Sequence, residues 1–337
     1  MPPDAAFSPD HRRSAWSRYW KQDVLHSLPG SFEGNYAGEI GRFWRRQFAP
    51  LDASHRVLDI ATGNGAIPQL VCRACSNDMP RVDAVDLAEV VPDWVATQPP
   101  QCSAALHFHA GASAEALPFA AASFDLVTSQ YGIEYCDAAR AVPELARVLG
   151  PEGRLALLLH HRESRLATVA REELRLADGL LRAGGFLDRL DAIVPWLAQA
   201  TSSEGRERLR NDPAANRARD DYNHAMQALA RDAAASPFPD LLEEARAFSA
   251  QALGALQRVS ATETLSRCRD YRAALIDARL RYAELCECAM DEGMMETFAG
   301  RLAASGLVDV AFAPISHENG MLMGWTLTAR AAGASGT

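Results

Sequence analysis

The chain has 337 residues, 48% apolar and 23% charged, which excludes a largely disordered polypeptide and is enough for a core without structural metal or disulfides. The formal charge of −9 argues against a general basic surface for nucleic acid. Lys21 is the sole lysine, so a catalytic lysine is excluded at every other position.

No apolar run reaches the ~18 residues needed to span a bilayer. Met1 to Trp20 is polar and carries no hydrophobic stretch of signal-peptide type. Seven scattered cysteines, an odd number, read as free thiols in a reducing compartment, so a cytoplasmic location is expected. Cys72-x-x-Cys75 and Cys286-x-Cys288 lack a second pair at compatible spacing, and no metal site is expected from them.

Residues 1–50 form an N-terminal helical segment. Arg13–Trp20 and Tyr36–Phe48 place Trp16, Tyr19, Trp20, then Phe43, Trp44 and Phe48 at helical intervals. Turn residues Leu28-Pro29-Gly30-Ser31 and Glu33-Gly34-Asn35 lie between them. Residues 51–162 then alternate strand and helix. Strands are expected at Arg56–Ile60, Arg81–Val85, His107–Ala110, Ser123–Ser129 and Arg154–Leu159. Helices are expected at Ala66–Cys75 and Ala138–Leu149, with Gly150-Pro151-Glu152-Gly153 as a turn before the fifth strand. Such alternation means an α/β fold with a parallel sheet covered on both faces.

Residues 163–290 lose every strand signal. Leu166, Ala170, Leu174, Ala177 and Leu181 recur at helical spacing, Gly184-Gly185 breaks a helix, and Asp212-Pro213 and Pro239-Asp240 read as helix starts. Four to six helices are expected there. Residues 291–330 return to α/β: a helix over Glu292–Ser305 stopped by Gly306, then strands Val308–Ile315 and Met321–Ala329 joined by a hairpin containing Asn319-Gly320.

Chemistry concentrates at Val57-Leu58-Asp59-Ile60-Ala61-Thr62-Gly63-Asn64-Gly65-Ala66. A hydrophobic strand enters a turn of small residues and then a helix whose amide dipole points at the turn. The G-x-G-x-x-G spacing of a dinucleotide site is missing, because no glycine follows Gly65 at the third position. Val82-Asp83-Ala84-Val85-Asp86 sets a carboxylate at the end of the next strand, where it can accept from two ribose hydroxyls.

With these residues the sequence resembles class I S-adenosylmethionine-dependent methyltransferases, most of all the small-molecule and quinone methyltransferases. Ala114-Glu115-Ala116-Leu117-Pro118-Phe119, Ala122-Ser123-Phe124-Asp125-Leu126-Val127 and Leu145–Leu155 extend the likeness in order. The resemblance implies a Rossmann-like seven-stranded sheet, mostly parallel with an antiparallel last strand. It also implies S-adenosyl-L-methionine as cofactor and S-adenosyl-L-homocysteine as product. Carried onto this chain, the cofactor residues are Asp59, Ala61, Thr62, Gly63, Asn64, Gly65, Asp86, Leu87, Ser113, Ala114, Glu115, Ser129 and Gln130, with Tyr36 covering the cofactor edge. Ala61 stands where the first glycine is commonest, and Ser113 where many relatives place an aspartate. No Asn/Asp-Pro-Pro-aromatic sequence follows the fourth strand, which reads Ser129-Gln130-Tyr131-Gly132 and so disfavours amino-group chemistry on bases or glutamine.

Methyl transfer needs a nucleophile aligned behind the methyl and, for some acceptors, a base. Tyr131 and Glu134 after the fourth strand and His160 and His161 after the fifth are the candidate catalytic residues. Adjacent strand residues point to opposite faces, so one of the two histidines is expected to face the pocket. The expected function is methyl transfer to a small, partly apolar acceptor, oxygen favoured over nitrogen or carbon. Two other readings stand beside it: a cofactor-binding regulatory protein without turnover, and a methyltransferase acting on a macromolecule. The 163–290 insertion fits a lid over the acceptor and fits a dimerisation surface, which would make a homodimer.

Overall fold

The computed structural model describes residues 9–22, 24–28, 32–90 and 92–333. The expected turn at Pro29–Ser31 lies outside them, as does the end of the tail, residues 334–337. The chain divides into two compact units. One runs to Thr168 and resumes at Glu284, and the other is Val169–Ala283.

The first unit opens with α1 (Pro9–Trp20) and α2 (Gly38–Phe48), and α2 buries Ile40, Phe43, Trp44 and Phe48. β1 (Arg56–Ile60), α3 (Ala66–Ala74), β2 (Arg81–Asp86), α4 (Pro100–Ala105), β3 (Leu106–Ala110), β4 (Phe124–Gln130), α5 (Ala138–Val148) and β5 (Leu149–Leu159) follow. The helical unit takes up the chain between β5 and the closing elements, with α6 (Arg165–Leu181), α7 (Phe186–Gln199), α8 (Ser203–Leu209), α9 (Pro213–Ala235), α10 (Asp240–Gly254) and α11 (Ala261–Cys288). α6 and α11 each cross its boundary. α12 (Glu292–Ala304), β6 (Leu307–Ser316) and β7 (Leu322–Ala331) close the first unit.

The seven strands form one sheet in the order β3-β2-β1-β4-β5-β7-β6. β1 through β5 pair in parallel, and β7 runs antiparallel to both β5 and β6, as the resemblance implies. Leu58, Ile60, Val127, Leu155, Leu157 and Leu159 are fully buried, which is what a parallel sheet covered on both faces requires. Asp137 caps α5 by accepting from Ala139 N at 2.9 Å, and Asp291 caps α12 by accepting from Met294 N at 2.9 Å.

Three expectations are corrected. Gly150–Gly153 is no separate turn: β5 begins at Leu149, and the ladder with β4 slips between Phe124↔Leu149 and Leu126↔Arg154, so those residues are a bulge within the strand. The α6 stripe holds at Leu166, Ala170 and Ala177, which are buried, and shifts at its other two positions, where Glu173 and Leu180 are buried while Leu174 and Leu181 are only partly so. Third, the cysteines are not all free, since Cys72 on α3 is disulfide-bonded to Cys102 on α4. Both are buried, and the two helices bring their Cα atoms to 5.9 Å.

The helical unit has its own core. Leu176, Leu180, Phe186, Leu187, Leu229, Leu242 and Leu275 pack together, and Leu190, Ile193 and Cys268 form a second cluster. Asp212 starts α9 by accepting from Ala214 N and Ala215 N at 2.8 and 2.9 Å. Among the described residues no helix is long and apolar enough to cross a membrane.

The disulfide closes a loop across 30 positions of sequence. Cys102→Ser is expected to lower the free energy of unfolding by about 2–4 kcal/mol. Chemical denaturation with and without a thiol reductant checks this. Reductant should lower the wild-type midpoint and leave the variant unchanged, and a wild type indifferent to reductant would show that the bond does not form.

Candidate active site

The strand order reverses direction between β1 and β4, and the carboxyl ends of an open sheet form a ligand crevice at such a point. Here the loop after β1 passes through left-handed backbone at Ala61, Gly63 and Gly65. Glycine is required at Gly63 on two counts: φ is +52°, and an added Cβ would lie 2.6 Å from the Trp20 ring. Asn64 fastens the loop to the N-terminal segment, donating from Nδ2 to Trp20 O and Val24 O at 2.8 Å each. Its carbonyl accepts from Trp94 Nε1 at 2.7 Å.

Asp86 ends β2 and ties two loops together. One carboxylate oxygen accepts from Gly63 N and the other from Ala88 N, each at 2.8 Å. Burial pushes its pKa up to about 6, against the pull of those two amides. Asp59 is buried in β1 and accepts from the Thr128 hydroxyl at 2.8 Å. Burial pushes it further, to about 7, and the nearby Asp86 charge adds to the rise.

Two cavities flank Trp20. The larger, about 140 Å³, is lined by Ala61, Asp86, Leu87, Ser113, Ala114, Glu115, Tyr131, Gly132, Tyr135 and Cys136, with Arg12, Trp16 and Trp20 of α1. The smaller, about 40 Å³, is lined by Tyr36, Asp59, Ala61, Thr62, Gln130 and Tyr131, again with Trp20. The Thr62 hydroxyl and the Gln130 amide nitrogen are buried there, beside the Asp59 carboxylate and the Tyr36 hydroxyl respectively. Gln130 Oε1 is taken by Trp44 Nε1.

Other sequence-expected residues hold the crevice in shape. The Ser129 hydroxyl donates to Ile60 O at 2.8 Å and accepts from Ile133 N at 3.1 Å, joining β1 to the turn after β4. Gly65 is packed under Phe108 and Trp94, where a Cβ would come within 2.9 and 3.0 Å. Ser113 Oγ accepts from Glu115 N at 3.2 Å, and Glu115 in turn accepts from Asp137 N at 3.0 Å.

At the ends of β4 and β5 lies a buried ion-pair geometry. Glu134 Oε1 accepts from His160 N at 2.8 Å and meets His160 Nδ1 at 2.7 Å. Both side chains are buried, and Glu134 Oε2 and His160 Nε2 have no partner among the described residues. The Tyr131 ring, which lines both cavities, lies 4.3 Å from the imidazole centroid. The Tyr131 hydroxyl is itself committed to Met323 O at 3.0 Å, and burial raises its pKa well above the ordinary value. His161 points elsewhere, as the strand period demands. It stacks on Trp325 at 4.4 Å and accepts from Glu163 N at 2.9 Å. The structure therefore brings Glu134, Tyr131 and His160 together and leaves His161 apart.

Arg12 and Cys136 line the crevice without any sequence signal for it, whereas Tyr135 belongs to the expected cluster after the fourth strand and Trp16 and Trp20 to the aromatic helices expected to cover the cofactor edge.

Comparison with known proteins adds a family to this geometry. Residues 58–157 match the family described as "Methyltransferase domain". That stretch of the chain is therefore similar to a methyltransferase domain. An uncharacterized methyltransferase of Mycobacterium tuberculosis is 37% identical over 118 residues, covering 35% of this chain and 44% of the relative. Demethylmenaquinone methyltransferases are similar too. That of Deinococcus radiodurans is 36% identical over 127 residues, covering 35% of this chain and 50% of the relative. That of Thermus thermophilus is 34% identical over 122 residues, covering 34% and 53%. The chain spans about half the length of these curated relatives. The matched stretch of the methyltransferase domain runs from β1 into β5, so it contains the glycine loop, Asp86, Gln130 and Glu134 but ends before His160.

The Asp59 pKa yields a test of its burial. Its folded pKa of about 7 lies above the ordinary 3.8, so its contribution favours folding at low pH and is lost as pH rises through that window. Asp59→Asn keeps an acceptor for Thr128 and removes the buried charge. It is expected to melt a few degrees above the wild type at pH 8, roughly 2–4 °C, and to match it near pH 4. Thermal melts across that range check it, and a constant offset would place the titration elsewhere.

Proposed function

We propose that the protein transfers the methyl group of S-adenosylmethionine to an oxygen nucleophile of a small, partly apolar organic acceptor. The observation that carries this reading is the buried Glu134–His160 pair beside a crevice built on Asp86 and the glycine loop. The residues fit the cofactor. Asp86 keeps lone pairs for ribose hydroxyls while holding Gly63 N and Ala88 N, and Leu87 and Ser113–Glu115 make a narrow wall suited to an adenine. The buried Thr62 hydroxyl and Gln130 amide, with Asp59, supply polar groups for an amino-acid end in the smaller cavity.

When bound, the cofactor supplies a methyl group already activated on a sulfonium. What remains for this chain is to orient the acceptor, exclude water and take a proton. A neutral amine has a free lone pair, whereas a hydroxyl gains most from a base, so a buried histidine held by a carboxylate favours oxygen. Glu134 accepts the Nδ1 proton, which leaves the lone pair on Nε2. As the new carbon–oxygen bond forms and the carbon–sulfur bond breaks, the hydroxyl proton passes to His160 Nε2. Glu134 then stabilises the imidazolium. Trp16, Tyr131 and Tyr135 give the crevice aromatic walls, which suits a partly apolar acceptor. Two of the relatives are named for demethylmenaquinone, in support of a small-molecule acceptor.

The test is release of S-adenosylhomocysteine over a panel of hydroxylated, amino and carbon acceptors. Asp86→Ala is expected to weaken S-adenosylhomocysteine binding by tenfold or more, about 1.4 kcal/mol. His160→Ala should lower kcat by about 100-fold with cofactor affinity kept, and His161→Ala should change it little. Cofactor binding without turnover on any acceptor would sink methyl transfer. Turnover confined to amines would sink the oxygen assignment.

A further inference from the structure

The crevice is closed by α1, which an Arg13–Glu89 ion pair and a Glu89 N–Ser17 hydrogen bond hold to the loop after β2 and which Glu284 holds to α11. Arg12 Nε forms an ion pair with Glu284 Oε1, and Trp16 Nε1 donates to Glu284 Oε2 at 2.9 Å. The same guanidinium donates through its second nitrogen to Tyr135 O at 3.1 Å, in the short turn (Ile133–Tyr135) after β4. Glu284 is the first residue of the α/β unit on α11, and its carboxylate is largely shielded from water. One carboxylate thus uses both oxygens on two successive turns of α1.

The consequence falls on Trp20, one turn further along. Trp16 stacks on Trp20 with centroids 5.8 Å apart, and Trp20 lies against Gly63. Trp20 lines both cavities, whose volumes of about 140 and 40 Å³ are each below the ~300 Å³ at the small end of ligand pockets. A nucleoside-bearing ligand therefore needs Trp20, and α1 with it, to give way. The Asn64 contacts to Trp20 O and Val24 O pin the far end of the strap to the glycine loop.

We infer that Glu284 is a positioning residue: through Arg12 and Trp16 it latches α1 across the crevice and so sets how fast the cofactor enters and leaves. This rests on the cofactor reading above. Because Arg12 also grips the turn carrying Glu134 and Tyr135, release of the latch frees the cofactor strap and the acceptor-side turn together.

Two measurements on the full chain decide it. In ligand-free protein, hydrogen exchange over residues 9–20 is expected to speed up about tenfold in Glu284→Ala and in Arg12→Ala, with the sheet strands unchanged. Glu284→Gln, which keeps an acceptor for Trp16 but loses the ion pair, should fall between. In stopped-flow tryptophan fluorescence with S-adenosylhomocysteine, association and dissociation should both quicken about tenfold in Glu284→Ala, with Kd changed much less. In turnover, kcat should hold or rise while dissociation limits it. Unchanged exchange over residues 9–20 overturns the latch. Faster exchange with unchanged ligand rates overturns its role as a gate. A wild type that binds no S-adenosylhomocysteine refutes the cofactor reading and the gate with it, and the exchange result still judges the latch alone.

Discussion

The crest of the sheet depends on one buried carboxylate. Asp86 leaves β2 and immediately spends its oxygens on Gly63 N and Ala88 N, so the loop after β1 and the loop after β2 share a single anchor. Without it, Gly63 would carry an unsatisfied amide in a loop already held in left-handed backbone. Burial opposes its ionisation and the two amides favour it, and the raised pKa of about 6 shows that burial prevails. A ligand that donates to this carboxylate stabilises its charged form, so binding of any such ligand and the ionisation of Asp86 are linked. Asp59, one strand over, is subject to the same conflict with the Asp86 charge added, and it sits higher.

The sequence made this half of the site legible because local rules govern it. Val57–Ile60 is a buried strand, the glycines demand positive φ, and an acid at the end of the next strand has few places to go. The strand period also separates His160 from His161 before any coordinates are known, although it cannot say which faces inward. Partners do that: Glu134 holds His160, and Trp325 holds His161. What stayed illegible was non-local. Cys72 and Cys102 lie on two helices whose approach is set by the β1–β2–β3 stack, and nothing in their spacing announces a bond. The β5 bulge looks like a turn because Pro151 and two glycines normally end strands, yet Leu149 still pairs with Phe124. In α6 the periodic stripe holds at Leu166, Ala170 and Ala177 but slips by one residue at its other two positions, where Glu173 and Leu180 are buried in place of Leu174 and Leu181.

The N-terminal helix shows the same limit more sharply. Its tryptophans look like packing residues, and both are half-buried. Their place against Gly63 follows from contacts with Asn64, 44 positions away from Trp20, and with Glu284, 268 positions away from Trp16. A helix as polar as α1 has little apolar area with which to hold itself down, so specific polar contacts have to do that work. An ion pair with one partner well shielded contributes more than an exposed one, and the Trp16 hydrogen bond to the same carboxylate adds direction to the attraction.

Two carboxylates therefore flank the turn after β4 and divide its work. Glu134 faces His160 and holds the ring of the group proposed to take the acceptor's proton. Glu284 faces Arg12 and, through it, the Tyr135 carbonyl. Tyr135 stands between them, with its ring 6.0 Å from His160 and 6.0 Å from Trp16. Its hydroxyl is buried without a partner among the described residues, and burial and the Glu134 charge hold it neutral. An unpaired buried hydroxyl is costly unless something supplies its partner. An acceptor bearing oxygen could satisfy it in the bound state alone, so the same turn that binds cofactor strap to base also has reason to favour an occupied crevice over an empty one.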